Sequence, residues 1–221
     1  MIYTIYSKPK VGKTTLAMTG APKGRTAIID ADGGLIGTDT TGIKVIHDLS
    51  AGSLNKEVLS PSFLKAYDRI IIDTATSLYD AFLMEITGGR APSQSNYGQA
   101  NTGMSQLIRG LRIQEKQVII LCQEKMVLPD DDWMSDDDDE EVSASVTTDL
   151  PPGAAKTLLT MADVIGRLYI ANVNNKPARR LWLCPTANIV AGARSKKYHG
   201  TPPYLTKPSI TRINQLLGWK A

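Results

Sequence analysis

Short apolar runs alternate with amphipathic segments along most of the chain. The first residues, MIYTIY, and the later run TAIID at Thr26–Asp30 are rich in β-branched and aromatic residues, and both are too short for a helix. They predict two buried strands. The segment KTTLAMTG between them predicts a short helix that ends at Gly20, because glycine commonly closes a helix. The chain therefore begins with strand, loop, helix and strand.

The same alternation continues through the middle of the chain. Residues 44–48 predict a short strand, and SPSFLKAY has the serine and proline of a helix start. Residues 68–80, DRIIIDTATSLYD, contain three consecutive isoleucines, which is typical of a strand inside a parallel sheet. Residues 99–125 predict an amphipathic helix and then a buried strand, QVIILC, that ends at Gln123. The helix is indicated by an apolar stripe at helical spacing, Met104, Leu107, Ile108 and Leu111.

The last third of the chain predicts a strand meander. AAKTLLTMAD predicts a helix, and VIGRLYIANV, RRLWLCP and NIVAGAR then predict successive strands, with NNKP as the first turn. PSITRINQLLGW predicts a closing helix that starts at Pro208. The fold class is therefore α/β: a mainly parallel twisted sheet flanked by helices, with a late strand meander. A chain of 221 residues suits one domain, residues 1–221.

One segment has an unusual charge. Residues 130–141, DDDWMSDDDDEE, hold nine of the 22 acidic residues and no Lys or Arg. Together with VSASVTTDLPPG they form a long segment of low periodicity, about residues 127–150, which we expect to be a mobile acidic insert. The rest of the chain has 25 basic and 13 acidic residues, a net charge of +12. This charge favours a polyanionic partner, and a solvated basic surface is the ordinary alternative.

Composition also bears on location. No apolar stretch approaches 18 residues and no signal-peptide pattern is present, so we expect a soluble protein that is not exported and does not enter a membrane. Cys122 and Cys184 lie in apolar runs without redox or metal-ligand spacing, which is typical of buried thiols in a reducing compartment. His47 and His199 are far apart in sequence, so a zinc site is not expected.

Residues 6–20, YSKPKVGKTTLAMTG, contain most of a phosphate-binding loop. The motif G-x-x-x-x-G-K-[ST] is completed by Gly12, Lys13 and Thr14, but Ser7 stands where the motif has its first glycine. The inward-pointing N–H groups of such a loop bind phosphate, and Gly12 allows a close approach. Lys13 would contact the β- and γ-phosphates, and the Thr14 hydroxyl would bind Mg²⁺. Ser7 fits if its φ is negative, whereas a positive φ would cost about 1 kcal/mol or more.

Asp73 ends the isoleucine-rich strand. A carboxylate at the carboxyl end of a parallel strand lies beside a phosphate loop, where it can hold Mg²⁺ through water. The alternative is an aspartate that only caps the next helix. We therefore predict Thr14 and Asp73 as the metal site, with Lys10 adding positive charge to the loop. The predicted ATP-binding residues are Lys10, Val11, Gly12, Lys13, Thr14 and Thr15.

Three predicted strand ends, IIDADGG, IIIDTATSL and VIILCQ, resemble those of the RecA-type recombination ATPases in their order and spacing. The compact size and the late VAGARSK resemble more narrowly the phage RecA-like single-strand annealing proteins, over about residues 2–197. The resemblance implies a core-only RecA-like P-loop domain that uses ATP and Mg²⁺. It also implies two catalytic residues. Asp32, where the family has a glutamate one methylene longer, would orient the attacking water, and Gln123 would sense the γ-phosphate.

The same resemblance implies that single-stranded DNA lies on the loops after Asp73 and Gln123. The first loop, residues 87–103, is TGGRAPSQSNYGQANTG, in which Arg90 would contact phosphate and Tyr97 would stack on a base. A surface loop without a ligand is the alternative. The second loop contains the acidic run, which would repel DNA. The family also uses basic residues at a late strand end to reach a neighbouring subunit's γ-phosphate, and these would be Arg194, Lys196 and Lys197.

The prediction for function is an ATP- and Mg²⁺-dependent, single-stranded-DNA-binding recombination protein. It would be a DNA-dependent ATPase that promotes annealing or strand exchange, as a homo-oligomeric ring or filament. The resemblance implies a phage protein in the cytoplasm of its bacterial host, with a single-strand-binding protein as a candidate partner. Three alternatives stay open: a nucleotide-switched DNA-binding module with little hydrolysis, a RecA-fold helicase and a small-molecule kinase.

Overall fold

The structure is a computed structural model that describes residues 1–128 and 144–219. The strands that it describes are β1 (Ile2–Ser7), β2 (Thr26–Asp30), β3 (Ile43–Ile46), β4 (Arg69–Asp73), β5 (Gln117–Val127), β6 (Ser145–Thr148), β7 (Val164–Val173), β8 (Lys176–Trp182), β9 (Gly192–Ala193) and β10 (Tyr204–Thr206). The helices are α1 (Lys13–Ala17), α2 (Ala51–Val58), α3 (Pro61–Ala66), α4 (Ala75–Thr87), α5 (Gln94–Arg112), α6 (Pro152–Met161) and α7 (Ile210–Leu217).

One twisted sheet joins these strands in the order β10-β8-β7-β1-β5-β4-β2-β3, with β6 paired to β5 and β9 paired to β7. The strands from β7 to β3 in this order pair in parallel, whereas β8 pairs antiparallel with both β7 and β10. The parallel strands therefore end at one common edge, called the carboxyl edge below, and start at the opposite amino edge. The predicted α/β class, with a mainly parallel sheet and flanking helices, is confirmed.

Both faces of the central strands are covered by helices. In β4 the side chains of Ile70 and Ile72 join a core with α2 to α6, whereas Ile71 joins the core with α1 and α7 on the other face. Successive side chains of a strand point to opposite faces, so a continuous apolar run is buried on both. All residues of β1, β2 and β4 are buried, which explains why these strands were predictable from sequence.

The β7–β8 hairpin extends beyond the carboxyl edge. Its turn has Asn174 at φ 51° and Asn175 at φ 60°, the left-handed conformations that a tight hairpin turn requires and asparagine tolerates. The predicted NNKP turn is therefore confirmed. Tyr6 pairs with Arg167 near the end of β1, and β7 continues from there to Val173. The hairpin thus overhangs the end of β1.

Two predicted boundaries on the late strands are wrong. The strand predicted to end at Gln123 continues to Val127 and pairs with β6, so Ser145–Thr148 is a strand within the expected irregular segment 127–150. The acidic run 130–141 and its expected mobility lie outside the described residues. The strand predicted for NIVAGAR is reduced to Gly192–Ala193, because Ile189 forms only isolated bridges, with Val146 and Thr186, and no continuous ladder.

The predicted DNA loop 87–103 is also shorter than expected. Helix α5 begins at Gln94, because Ser93 and Asn96 cap it reciprocally: each backbone N–H donates to the other's side-chain oxygen. Helix α2 was not predicted at all. The cysteine prediction is correct for Cys122, which is buried, but Cys184 is only half-buried, and both thiols are free.

Candidate nucleotide-binding site

The phosphate-binding loop lies between β1 and α1 at the carboxyl edge. Ser7 is the last residue of β1, buried and extended, and its φ is not positive. A serine therefore fits this position, as the sequence requires. The left-handed residues of the loop are Lys10 at φ 61° and Gly12 at φ 102°. Ser7 therefore replaces the motif's glycine without backbone strain, and the cost of about 1 kcal/mol falls on Lys10 instead.

Lys13 is bound by the loop itself. Its Nζ donates to the Ser7 carbonyl at 3.4 Å, to the Ser7 Oγ at 3.3 Å, to the Lys8 carbonyl at 3.4 Å and to Oε1 of Gln123 at 3.1 Å. Burial lowers the pKa of Lys13, and the carboxylates of Asp73 and Asp32 oppose that shift. The ammonium is therefore held by neutral oxygens that phosphate oxygens could replace with a full negative charge.

Thr14 and Asp73 form a compact pair of oxygen donors. The Thr14 hydroxyl donates a 2.6 Å hydrogen bond to Oδ2 of Asp73, which is only 5% exposed. Burial raises the pKa of Asp73, and the hydrogen bond from Thr14 opposes this shift. The described residues hold no cluster of three His, Cys, Asp or Glu side chains suited to a metal. A hydroxyl and one carboxylate nevertheless fit Mg²⁺, which usually combines few protein ligands with water and substrate phosphates.

Asp32 is fixed beside this pair. Its backbone N–H donates to the Asp73 carbonyl at 3.2 Å, and its Oδ1 accepts a 3.0 Å hydrogen bond from the Thr74 hydroxyl. Thr74 also caps α4 by accepting from the Ser77 N–H at 3.3 Å. The Asp32 carboxylate is thus oriented by a residue that is itself held by a helix start, which suits a group that positions water.

Gln123 connects the loop to the β5–β6 pair. Its side chain accepts from Lys13, its N–H donates to the Thr76 hydroxyl at 3.1 Å, and its carbonyl accepts from the Asp149 N–H at 2.8 Å. The Thr76 hydroxyl in turn donates to the Asp149 carbonyl at 3.0 Å. Gln123 therefore contacts the loop lysine through its side chain and the residues that follow β6 through its backbone.

These side chains line a single cavity of about 480 Å³. The structure brings most of the predicted site residues to it, namely Lys10, Gly12, Lys13, Thr14, Thr15, Asp32, Asp73 and Gln123. Val11 is different, because its side chain packs into the core with Leu16 and only its backbone can serve the loop. Arg179 of β8 also lines the cavity, and sequence reasoning missed it. A polar strand with two arginines carries no local signal of which one faces a distant loop.

The predicted DNA-binding residues lie away from this cavity. Arg90 is exposed in the turn after α4, and Tyr97 is 39% exposed in the first turns of α5. The Tyr97 carbonyl accepts the Tyr79 hydroxyl at 3.3 Å, which fixes this end of α5 against α4. Their contact with DNA stays a prediction.

The predicted trans-acting cluster lies at the other edge of the sheet. The Arg194 N–H donates to the Asp163 carbonyl at 2.7 Å, its guanidinium is 4.0 Å from Oδ1 of Asp163, and it also donates to the Thr160 carbonyl. Asp163 directly precedes β7, so Arg194 is at the amino edge, opposite its own phosphate loop. Lys196 and Lys197 are exposed. Action on the same subunit's nucleotide is excluded for Arg194, and action in trans stays a prediction.

A phosphate loop after the first strand of a parallel sheet, with its lysine, its hydroxyl and a carboxylate from the neighbouring strand end, defines a P-loop nucleoside triphosphatase core. A family model described as AAA domain matches residues 1–195, and the chain belongs to this family. Membership identifies a P-loop ATPase domain, a class that binds nucleotide, typically with Mg²⁺. The comparison with curated proteins found no match for this chain. Within residues 1–128 and 144–219, no helix is long and apolar enough to cross a membrane.

Proposed function

We propose that this protein is a RecA-like recombination ATPase of phage origin that binds single-stranded DNA and promotes annealing or strand exchange. The observation that carries the proposal is the Lys13–Gln123 hydrogen bond, because it links the phosphate lysine to the strand that leads into the β5–β6 pair. It works as a homo-oligomer in the cytoplasm of the bacterial host, with a single-strand-binding protein as a candidate partner.

In the proposed reaction each residue of the cavity has one task. Lys13 exchanges its neutral acceptors for phosphate oxygens, and Thr14 and Asp73 hold Mg²⁺. When bound, Mg²⁺ neutralises charge on the phosphate oxygens. Asp32 orients the attacking water, and Gln123 responds when Lys13 leaves it. Phosphoryl transfer needs positioning more than a strong base, so an aspartate is sufficient for this role.

Nucleotide binding is tested by calorimetry with ATP and Mg²⁺. Wild-type protein is expected to bind in the micromolar to millimolar range, and Lys13→Ala is expected to lose at least ~100-fold in affinity, since it removes a charge-assisted contact to two phosphates. Lys23→Ala is the matched control, because Lys23 is an exposed lysine that does not line the cavity. Equal affinity of the wild type and Lys13→Ala would refute the phosphate-loop assignment.

DNA binding is supported by the net charge of +12 outside the acidic run and by the exposed ring of Tyr97. The double variant Arg90→Ala, Tyr97→Ala should weaken single-strand binding, whereas Arg109→Ala, an exposed arginine further along α5, should not. Wild-type affinity should fall steeply with salt.

Deleting residues 130–141 should strengthen binding, because nine carboxylates are removed. Weaker binding after the deletion would mean that the acidic run supports the site.

The alternative that we keep is a nucleotide-switched DNA-binding module. Asp32 is short for the residue that orients water, and one of its oxygens already accepts from Thr74. Steady-state ATPase activity with and without single-stranded DNA separates the two functions, because the switch would bind ATP and DNA with little turnover. A helicase would in addition displace a strand from a duplex, which a strand-displacement assay detects.

A further inference from the structure

The β7–β8 hairpin reaches the phosphate-binding loop from outside the parallel sheet. Arg179 of β8 pairs with Ile170 of β7, three residues beyond Arg167, which pairs with Tyr6 of β1. β1 ends at Ser7, one residue after Tyr6, so Arg179 lies about two strand residues, or ~7 Å, past the end of β1. That is the level at which the phosphate loop turns into α1.

The side chain of Arg179 lies against the loop glycine. A methyl group built on Gly12 would be 2.8 Å from Cζ, 3.0 Å from Nε and 3.1 Å from Nη2 of Arg179. Gly12 at φ 102° therefore has two reasons to lack a side chain: its backbone conformation and the guanidinium above it. Arg179 lines the same 480 Å³ cavity as Lys13, Thr14 and Gln123.

The strand register explains why the Arg179 side chain points toward the phosphate-binding loop. Arg179 is on the same face of β8 as Leu181, which is buried in the core that contains Val11 of the loop. Arg180 points to the opposite face, where its guanidinium is 4.3 Å from the centre of the Tyr204 ring. The two neighbouring arginines thus have separate environments, and only Arg179 faces the nucleotide site.

Within residues 1–128 and 144–219, the Arg179 guanidinium has no hydrogen-bonding or ionic partner. Among residues 1–128 and 144–219, no hydrogen bond, ion pair or ring contact is made by its side chain, although the carboxylates of Asp32 and Asp73 line the same cavity. It joins Lys10 and Lys13 as a third cation at this cavity. Among the described residues, these three cations face the two carboxylates of Asp32 and Asp73, so one positive charge is left in excess at the cavity.

We propose that Arg179 is a phosphate-binding residue that contacts the terminal phosphate of the nucleoside triphosphate bound by its own subunit. The proposal rests on the proposed nucleotide binding and adds to it a cation supplied in cis. A guanidinium is suited to this role because it presents several donors in a fixed plane to phosphate oxygens. The positive charge that stabilises the phosphate oxygens during phosphoryl transfer would then come at least in part from the same chain.

The test compares ATP and ADP binding by calorimetry. Arg179→Ala should lower ATP affinity about 10- to 100-fold and ADP affinity only a few-fold, so the ratio of the two affinities falls. Arg179→Lys should restore part of the ratio, because it keeps the charge but not the planar group. Arg180→Ala is the matched control and should leave the ratio unchanged. Thermal unfolding confirms that each variant is folded.

Three results would decide against the proposal. Wild-type affinities of Arg179→Ala for both nucleotides, or equal losses for both, would remove the contact with the terminal phosphate. Partial recovery of ATPase activity on mixing Arg179→Ala with Lys13→Ala would show that Arg179 acts on a neighbouring subunit, whereas no recovery supports action in cis. A wild-type protein that binds no ATP would instead refute the proposed function itself, so the two failures are distinguishable.

Discussion

Nζ of Lys13 donates a 3.1 Å hydrogen bond to Oε1 of Gln123 and so joins the phosphate-binding loop to β5. The bond is short-range in space because Ser7 at the end of β1 pairs directly with Gln123. The next residue, Glu124, pairs with Thr148 of β6 and accepts from the Arg167 guanidinium at 3.0 and 3.2 Å. A nucleotide that takes Lys13 away from Gln123 therefore changes the contacts of a residue that pairs with Ser7 of β1 and directly precedes the β5–β6 pairing.

The first prediction concerns this coupling. Gln123→Ala should bind ATP with wild-type or somewhat higher affinity, because Lys13 no longer has to give up a protein acceptor. It should also abolish the effect of ATP on hydrogen exchange at the amides of β6, which wild type is expected to display. Gln99→Ala, an exposed glutamine on α5, is the control. An unchanged response of β6 in Gln123→Ala would mean that the signal takes another route.

The second prediction concerns Asp32. Asp32→Asn should keep ATP affinity within about threefold and reduce hydrolysis by at least ~100-fold, because a group that orients water acts mainly in the transition state. Asp48→Asn, an exposed aspartate outside the cavity, should change neither quantity. Calorimetry and steady-state phosphate release measure the two effects. Joint loss of binding and turnover would assign Asp32 to the metal or to the fold instead.

The third prediction uses the raised pKa of Asp73. Because burial raises it above the ordinary value of 3.8, the native state binds this proton more tightly than the unfolded chain. Asp73 therefore destabilises the native state increasingly as pH rises through and above that value. Without Mg²⁺, Asp73→Asn should raise the free energy of unfolding at neutral pH by on the order of 1 kcal/mol, and the gain should shrink in acid.

Urea unfolding at several pH values measures the effect of Asp73→Asn. The control is Asp39→Asn, because the Thr41 hydrogen bonds lower the pKa of that exposed carboxyl and no such gain is expected. The same Asp73→Asn protein should lose the Mg²⁺-dependent part of its ATP affinity. A variant that is less stable than wild type at neutral pH would contradict the assigned cause of the pKa shift.

The sequence predicts the parts of this fold that depend on local pattern. The strands β1, β2 and β4 are continuous apolar runs, and the Asn174–Asn175 turn has its own residue preference, so each is recognisable without a partner. The start of α5 was missed because its first residues, rich in Ser, Asn and Gln, have a loop-like composition. Its capping box uses Asn96 in place of the usual glutamate or glutamine.

The missed features depend on distant partners. β6 is four residues long, and its pairing with β5 beyond Gln123 is what makes it a strand. The position of Arg179 depends on the register between β7 and β8 and on how far that hairpin passes β1. Within the site, the motif gives Lys13 and Thr14 directly, whereas Arg179 carries no pattern that separates it from Arg180.

The last prediction concerns Arg194 and Lys196. Because Arg194 lies at the amino edge, it could reach a phosphate loop only in a head-to-tail contact, which joins the amino edge of one subunit to the carboxyl edge of the next and generates rings or filaments. The Arg194 side chain is 57% exposed, and Arg112 also pairs with Asp163, so Arg194→Ala should cost less than about 1 kcal/mol of stability. Loss of activity would then not reflect unfolding.

The decisive measurement mixes two inactive proteins. Lys13→Ala keeps the basic cluster but cannot use ATP, whereas the double variant Arg194→Ala, Lys196→Ala keeps the nucleotide site but lacks the cluster. Where a competent site faces a competent cluster, part of the ATPase activity should return, since such a cation can be worth about a thousandfold in rate. Lys207→Ala, another exposed lysine, should be active alone. If co-assembled mixtures stay inactive at every ratio, the trans role is wrong, and Arg194 serves only its contacts with Asp163 and Thr160.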